Sequence, residues 1–501
     1  MDYLNASVGP ANMELLHGCC REAQQADFVA FGLQGLQSSL SEPLRPMMVT
    51  LLEEIRRSGR LLRDLADKAQ LHVSRVPVML NYLNIIMPCF SKSLKDITSY
   101  YENKAISREN RWRKMYHEMG KEASNLPLPQ RFMLYNHFLD QLGHLLARSP
   151  DFDPNTLELL QTQILKLRDK RGIPPPAAQS SLVVIPPTSL VLPYTPERPI
   201  HWAEDIFSRP LASRTPLKHL KPSETFRPFS AVGELHMPRN LQTLFKRPFD
   251  NDRISVTVFL DTSDNSAYLF ARSLHFGTPW FSLKGAHELC ISRESAALVL
   301  KRWSASMQRS TPWAVLYFLT WEEMVLFHCA FVALKRNSAR SFDLHPDEFR
   351  LEGERRLFQA RINDDGYEHS LIVYRDAETR GLRLHAAVWD GDLRRCPVWT
   401  AFVTHQSQRS HPAWLSRRGR RRVLLSDVQL YVFCADYRQE TMRRHSSKGG
   451  GGGGAFELNF QSEEAAARFK EVFDPFMSVA SSEATGAEGG GGGGGGEGGG
   501  G

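Results

Sequence analysis

Trp313-Ala-Val-Leu-Tyr-Phe-Leu-Thr320-Trp-Glu-Glu-Met-Val-Leu-Phe327-His-Cys-Ala-Phe331 decides the reading of this chain, because a second stretch repeats its pattern. Ala455-Phe-Glu-Leu-Asn-Phe-Gln-Ser462-Glu-Glu-Ala-Ala-Ala-Arg-Phe469-Lys-Glu-Val-Phe473 places Leu458, Phe460, Ser462, Glu464, Phe469 and Phe473 on Leu316, Phe318, Thr320, Glu322, Phe327 and Phe331. Each block opens with alternating apolar residues, the period of a half-buried strand. Thr320 or Ser462 follows as a helix N-cap, and carboxylates occupy the first turn, where the helix dipole favours them. The two phenylalanines of each block are four apart and so share one helical face. The echo predicts one strand-to-helix ending used twice.

With 501 residues the chain has material for about three domains. A net charge of +7 favours acidic partners without naming one. The seven cysteines, Cys19, Cys20, Cys89, Cys290, Cys329, Cys396 and Cys434, are scattered and form no Cys-x-x-Cys pair. Neither a disulfide framework nor a zinc site is indicated, and a reducing, cytoplasmic location is expected. The start Met1-Asp-Tyr-Leu-Asn5 lacks the basic and apolar regions of a secretory signal. The apolar run from Val315 to Leu334 is interrupted by Glu322 and Glu323. At bilayer depth each carboxylate would cost about 2.5–3.5 kcal/mol, so no membrane span is expected.

The fold class that follows is multidomain, α then β: an antiparallel helical bundle over 1–171, a proline-rich linker over 172–240, and two strand-rich modules over 241–340 and 341–479. Residues 480–501 form a glycine-rich tail, and Gly449–Gly454 lengthens a loop of the second module. Helical spacing is carried by Met47, Met48, Leu51, Leu52, Ile55, Leu62 and Leu65, and then by Val76, Met79, Leu83, Ile86, Phe90, Leu94 and Ile97. Further helices are expected near Met13–Leu40, over Ser107–Gly120, from Pro129, and from Asp153-Pro154, an N-cap followed by proline at the first helical position. Pro43, Pro77, Pro88 and Pro127 are expected to break the pattern into helices of roughly 15–30 residues, too short for a membrane-bending BAR bundle. Within the linker, Ile200–Phe207 is apolar enough to dock on a neighbour. In the first module Ile254–Leu260 and Ala267–Phe270 flank Asp261–Ser266, and in the second Leu357–Ile362 and Ser370–Tyr374 flank Asn363–Gly366; both read as hairpins.

From about Asn240 to Val479 the chain resembles a tandem pair of pleckstrin-homology (PH) domains. Taken whole, it resembles a family of uncharacterised fungal proteins with a helical N-terminal region. Glu109-Asn-Arg-Trp-Arg113, Trp321-Glu-Glu-Met-Val-Leu-Phe327, His385-Ala-Ala-Val-Trp-Asp-Gly391 and Pro397-Val-Trp-Thr-Ala-Phe-Val-Thr-His-Gln406 carry that likeness. The resemblance implies two barrels, each closed by a C-terminal helix, and a non-enzymatic adaptor that binds protein surfaces or phosphoinositides.

Phosphoinositide-binding PH domains place a Lys and Arg residues around the first strand and its turn, since phosphates need several cationic donors. Here the candidate turns carry Asp261 and Asp264, and Asp364 and Asp365, which argues against that site; Lys246 and Arg247 could supply a weak substitute. The sharpest charged feature is Arg417-Arg418-Gly419-Arg420-Arg421-Arg422, a candidate contact for an anionic membrane surface. The alternative is a nuclear or nucleic-acid-associated protein using the same cluster. No aromatic alternates with these arginines, which weighs against stacking on nucleic-acid bases. Pro193-Tyr-Thr-Pro196-Glu-Arg198 fits an SH3-type ligand, with the arginine on groove carboxylates. His385, His405 and His411 share no ligand spacing with Cys396 or Cys434, so no metal or cofactor is expected. Trp303, Trp389 and Trp399 read as core residues, and no nucleophile elbow or phosphate-cradling loop accompanies them.

Overall fold

In the computed structural model the N-terminal region is helical: α1 (Pro10–Gln37), α2 (Arg45–Leu71), α3 (Val76–Glu102), α4 (Arg108–Glu122), α5 (Leu128–Ala147) and α6 (Pro154–Lys170). The structure describes residues 10–72, 76–147, 149, 151–176, 200–209, 211, 213–226, 229–230, 235, 237–238, 240–275, 278–304, 308–341, 344–364, 366–407, 414–435, 437 and 455–473. Local chemistry sets the helix starts: Ser107 accepts from Asn110 N, and Asp153 from Asn155 N at 3.0 Å. The expected apolar stripes face inward, but Met47 lies on the outer face of α2. Pro88, expected to break a helix, sits inside α3. Proline has no N–H to give the carbonyl four residues earlier. That carbonyl, on Asn84, instead accepts from Arg168 Nη1 of α6 at 2.7 Å, so a neighbouring helix repairs the gap.

The first strand-rich module is two four-stranded antiparallel sheets. One has the order β2 (Leu241–Phe249), β3 (Ile254–Asp261), β4 (Ser266–His275), β5 (Thr278–Gly285). The other has the order β1 (Glu224–Thr225), β8 (Arg309–Tyr317), β7 (Ala297–Ser304), β6 (Leu289–Glu294). The hairpin read as opening this module is therefore its second and third strands. Leu241–Phe249 precedes it, its strand signal blurred by Lys246-Arg247-Pro248.

Every residue of β3 is buried, because both faces of this sheet are covered. Phe259, Phe270 and Phe281 join the core of the helical bundle, while Val258, Leu260 and Leu269 join the module's own core. A charge cluster crosses the bundle side of that junction. Arg272 of β4 bonds Asp252 Oδ1 at 2.6 Å and lies 2.7 Å from Asp67 Oδ1 of α2, a close ionic contact not aligned as a hydrogen bond. Lys246 of β2 contacts Asp64 at 2.5 Å and Asp67 at 2.6 Å.

The second strand-rich module is one eight-stranded sheet. Its order is β13 (Leu415–Arg417), β14 (Arg422–Leu425), β16 (Phe456–Phe460), β9 (Glu354–Asp364), β10 (Tyr367–Asp376), β11 (Leu382–Val388), β12 (Pro397–Phe402), β15 (Tyr431–Val432). Neither module is a closed barrel. The first is two separate sheets, and the second is an open sheet whose edges are β13 and β15.

The linker also supplies α7 (Trp202–Ser208), whose Phe207 ring lies 3.9 Å from that of Phe245 and whose Trp202 packs on Phe433 at 6.0 Å.

The two closing helices, α8 (Trp321–Arg336) and α9 (Glu463–Glu471), keep the predicted design. Thr320 accepts from Glu323 N, and Ser462 from Ala465 N. Phe327 packs between Phe318 (5.7 Å) and Phe245 (6.0 Å), and Phe469 between Phe460 (5.3 Å) and Phe358 (5.4 Å). Each helix phenylalanine thus bridges the first and last principal strands of its own module. The helices differ in what lies outside them. Trp321 of α8 meets Phe402 of β12 at 5.4 Å, and Glu322 is buried, bonding Ser213 and Thr215 of the linker. In α9 the matching Glu464 is exposed.

Across the junction between the modules Arg293 pairs with Asp376; beside it, within the second module, Arg383 grips Glu354 through two bonds of 2.8 and 2.6 Å. His328 of α8 is buried nearby, and its ring nitrogens make no hydrogen bond of ordinary geometry. Burial, with the Arg383 charge adding to it, pushes its pKa down to about 3.

Replacing Arg272 by Met leaves Asp67 and Asp252 without their shared cation in a buried site, and should lower stability by about 3 kcal/mol in urea titration of the full chain. His328 also carries a pH dependence. Above the unfolded-state value near 6.5 neither state binds a proton there; below it only the unfolded chain does, until about pH 3. The His328 contribution is therefore lost as pH falls through that window, by up to about 1.4 kcal/mol per pH unit, and the urea midpoint of a His328→Leu variant should fall less steeply with acid.

Candidate functional site

The arginine cluster is a hairpin. Leu415 pairs with Leu425 and Arg417 with Val423, and the buried side chains of Leu415, Val423 and Leu425 anchor both strands in the second module's core. Arg418 N donates to Arg422 O at 3.0 Å, which turns residues 418–421 outward. Arg417 is tied back to Gly419 O and Arg420 O and pairs with Glu463 at 3.2 Å; Arg422 lies 3.5 Å from Glu457. Arg418, Arg420 and Arg421 are exposed and have no ion-pair partner among the described residues.

The other residues singled out from the sequence lie apart from this hairpin. Lys246 is held by Asp64 and Asp67; burial opposes its charge, but the two carboxylates outweigh it and raise its pKa. Arg247 lies 3.4 Å from Glu323 and sits over the Phe207 ring. The charge of both is taken up inside the molecule, which leaves little for an outside phosphate. The turn acids also have internal tasks. Asp364 accepts from Trp399 Nε1 at 2.8 Å and the Tyr437 hydroxyl at 2.9 Å, Asp261 from Ser263 N, and Asp264 from Ser266 N and Arg340. Asp365, His411 and the Pro193, Pro196 and Arg198 motif lie outside the described residues. Among the described residues no three His, Cys, Asp or Glu side chains group as metal ligands, and no helix is long and apolar enough to cross a membrane.

Sequence reasoning missed a second cationic surface, a cavity of about 400 Å³ on the outer face of β9, β10 and β11. Ser370, Ile372 and Tyr374 alternate along β10, and the register sets Gln359 of β9 and His385 of β11 on either side of Ile372. One wall is the turn Pro346–Phe349 with Arg350, and the other is the β11–β12 loop with Arg394 and Arg395. Arg361 stacks on Trp389 at 4.2 Å beside it. Trp389 thus lines a cavity, and Trp303 is 66% exposed, so of the three tryptophans read as core only Trp399 is fully buried. The one carboxylate in the lining, Glu354, is neutralised by Arg383.

Arg383 can only donate, so its contact of 3.1 Å with His385 Nδ1 leaves the ring hydrogen on Nε2. Burial, with the Arg383 charge next, holds His385 well below its ordinary pKa and keeps the imidazole neutral. The only sequence signal for this site was the Arg394-Arg395 pair after the Asp390-Gly391 turn; the rest comes from segments that only strand pairing assembles.

Comparison with known families agrees with this geometry. Residues 231–353 and 355–478 each match a model of a PH domain found in tandem in fungal proteins. No curated protein matches the chain. Two modules in succession, each ending in the capped helix that opened the sequence reading, are thus the tandem PH domains of a protein of the kind found in fungi, preceded here by a helical region.

Proposed function

We propose that the protein is a non-enzymatic cytoplasmic adaptor whose second PH module contacts acidic surfaces, including an anionic membrane leaflet. PH domains bind proteins or phosphoinositide lipids, which sets the class of partner. The observation that carries the reading is the hairpin, where Arg418, Arg420 and Arg421 stand exposed on a strand pair anchored in the core. The Pro193-x-x-Pro196-x-Arg198 motif adds a proposed contact with an SH3-type groove. The nuclear or nucleic-acid reading draws on the same arginines, and exclusively nuclear fluorescence of a tagged chain would favour it.

Each arginine near an anionic leaflet is worth about 1 kcal/mol, so three together are worth on the order of a hundredfold in affinity. Serine at positions 418, 420 and 421 should therefore abolish most co-sedimentation with phosphatidylserine vesicles, and wild-type binding should fall as salt rises. Native protein that stays in the supernatant, or a triple variant that pellets as well as wild type, would remove the membrane contact.

A further inference from the structure

The cavity on β9–β11 deepens the adaptor reading, on which it rests for the idea that the partner is a protein. Among the described residues its unpaired charged groups are all cationic, and donors outnumber the acceptors that remain on the Tyr374 hydroxyl and Gln359 Oε1. Arg350, Arg394 and Arg395 are exposed and form no ion pair among the described residues. Ser370 Oγ accepts from Gln359 Nε2 at 2.9 Å, so its own hydrogen is free to donate. His385 presents Nε2–H, which has no partner among the described residues. Between these donors the floor is apolar, formed by Ile372, Val388 and the Trp389 ring.

A cationic, donor-rich rim around an apolar floor selects an acceptor-rich ligand that also carries an apolar group. We propose that this cavity is a docking site for an acidic peptide segment of a partner protein, with one aliphatic or aromatic side chain on the floor and flanking carboxylates on the arginines. Guanidinium forks match carboxylates in geometry as well as charge. The concave shape favours a side chain over a flat bilayer, and the volume lies within the range of ordinary binding pockets.

The test pans a random dodecapeptide phage library on the full chain, with counter-selection on an Arg394→Glu, Arg395→Asn variant. Asn is chosen at 395 because that backbone is left-handed, with φ of 68°, a conformation Asn tolerates. Recovered peptides should carry two or more Asp or Glu around a Leu, Phe or Trp. In fluorescence polarisation they should bind at least tenfold more weakly to the double variant and also to Arg350→Glu, which changes the opposite wall. They should bind within twofold of wild type to the serine variant of Arg418, Arg420 and Arg421. That last arm separates the two sites: if the hairpin variant still pellets with vesicles while the cavity variants lose peptide, the hairpin reading fails and the cavity stands. Recovery of no peptides, of peptides without acidic residues, or of peptides that bind the cavity variants equally well overturns the proposal. So does a cavity variant that loses phosphatidylserine vesicles when no peptide is recovered, since the cavity would then serve a lipid surface.

Discussion

The sheet β2–β5 is buried on both faces, and the rest of the structure depends on that. A strand with water on one side alternates apolar and polar residues; β3 has no solvent face, and its aromatic and aliphatic residues divide between two cores. Burial of one face against helices carries ionic side chains with it. Arg272, Arg63 and Asp67 are all nearly inaccessible, and charges taken from water at such cost persist only if they find one another. Placing Asp64 and Asp67 one turn apart on α2, opposite Lys246 and Arg272, fixes where the bundle sits on the sheet. Apolar contact alone would allow sliding; a buried ion pair that shifts by one residue leaves its partners unpaired.

The second junction follows the same logic with a helix in place of a sheet. An ordinary closing helix needs one apolar stripe, and α9 has that, with its solvent side carrying Glu464, Arg468 and Lys470. Helix α8 instead has almost no solvent side, because β12 of the second module covers what would otherwise be exposed. That accounts for the apolar run from Val315 to Leu334, which in isolation looks like a membrane segment. Glu322 shows the difference within one turn: its carboxylate is buried and satisfied by three donors from Ser213 and Thr215, and so clasps the linker, whereas Glu464 only attends a helix dipole.

What the sequence made legible was local: caps, helical stripes, and Phe327 and Phe469, whose rings prove to be equivalently placed in the two modules. Pro88 misled because the repair of its missing hydrogen bond comes from Arg168, eighty residues on, which no local pattern records. Barrel closure misled for a similar reason. Several sheet edges are short strands, Glu224–Thr225, Leu415–Arg417 and Tyr431–Val432, too brief to show a period. Of the candidate sites, the arginine hairpin was visible because its charges are contiguous. The cavity was not, since its arginines come from separate loops and its donors from alternate positions of different strands.

One design used twice has thus been put to two uses, and burial decides which. The first module has its strands covered by the bundle on one side and by α8 on the other, and its cations Lys246, Arg247 and Arg272 are spent on internal carboxylates. It packs against both the bundle and the second module. The second module meets α8 at β12, while the face of β9 and β10 that carries the cavity stays open; Arg350, Arg394 and Arg395 there, and Arg418, Arg420 and Arg421 at the β13–β14 turn, form no ion pair among the described residues. Unpaired guanidinium groups around a fixed sheet contribute nothing to folding stability that a neutral surface would not. The second module is where unpaired guanidinium groups gather beside a cavity and on a core-anchored hairpin, whereas the cations named in the first are paired inside the molecule.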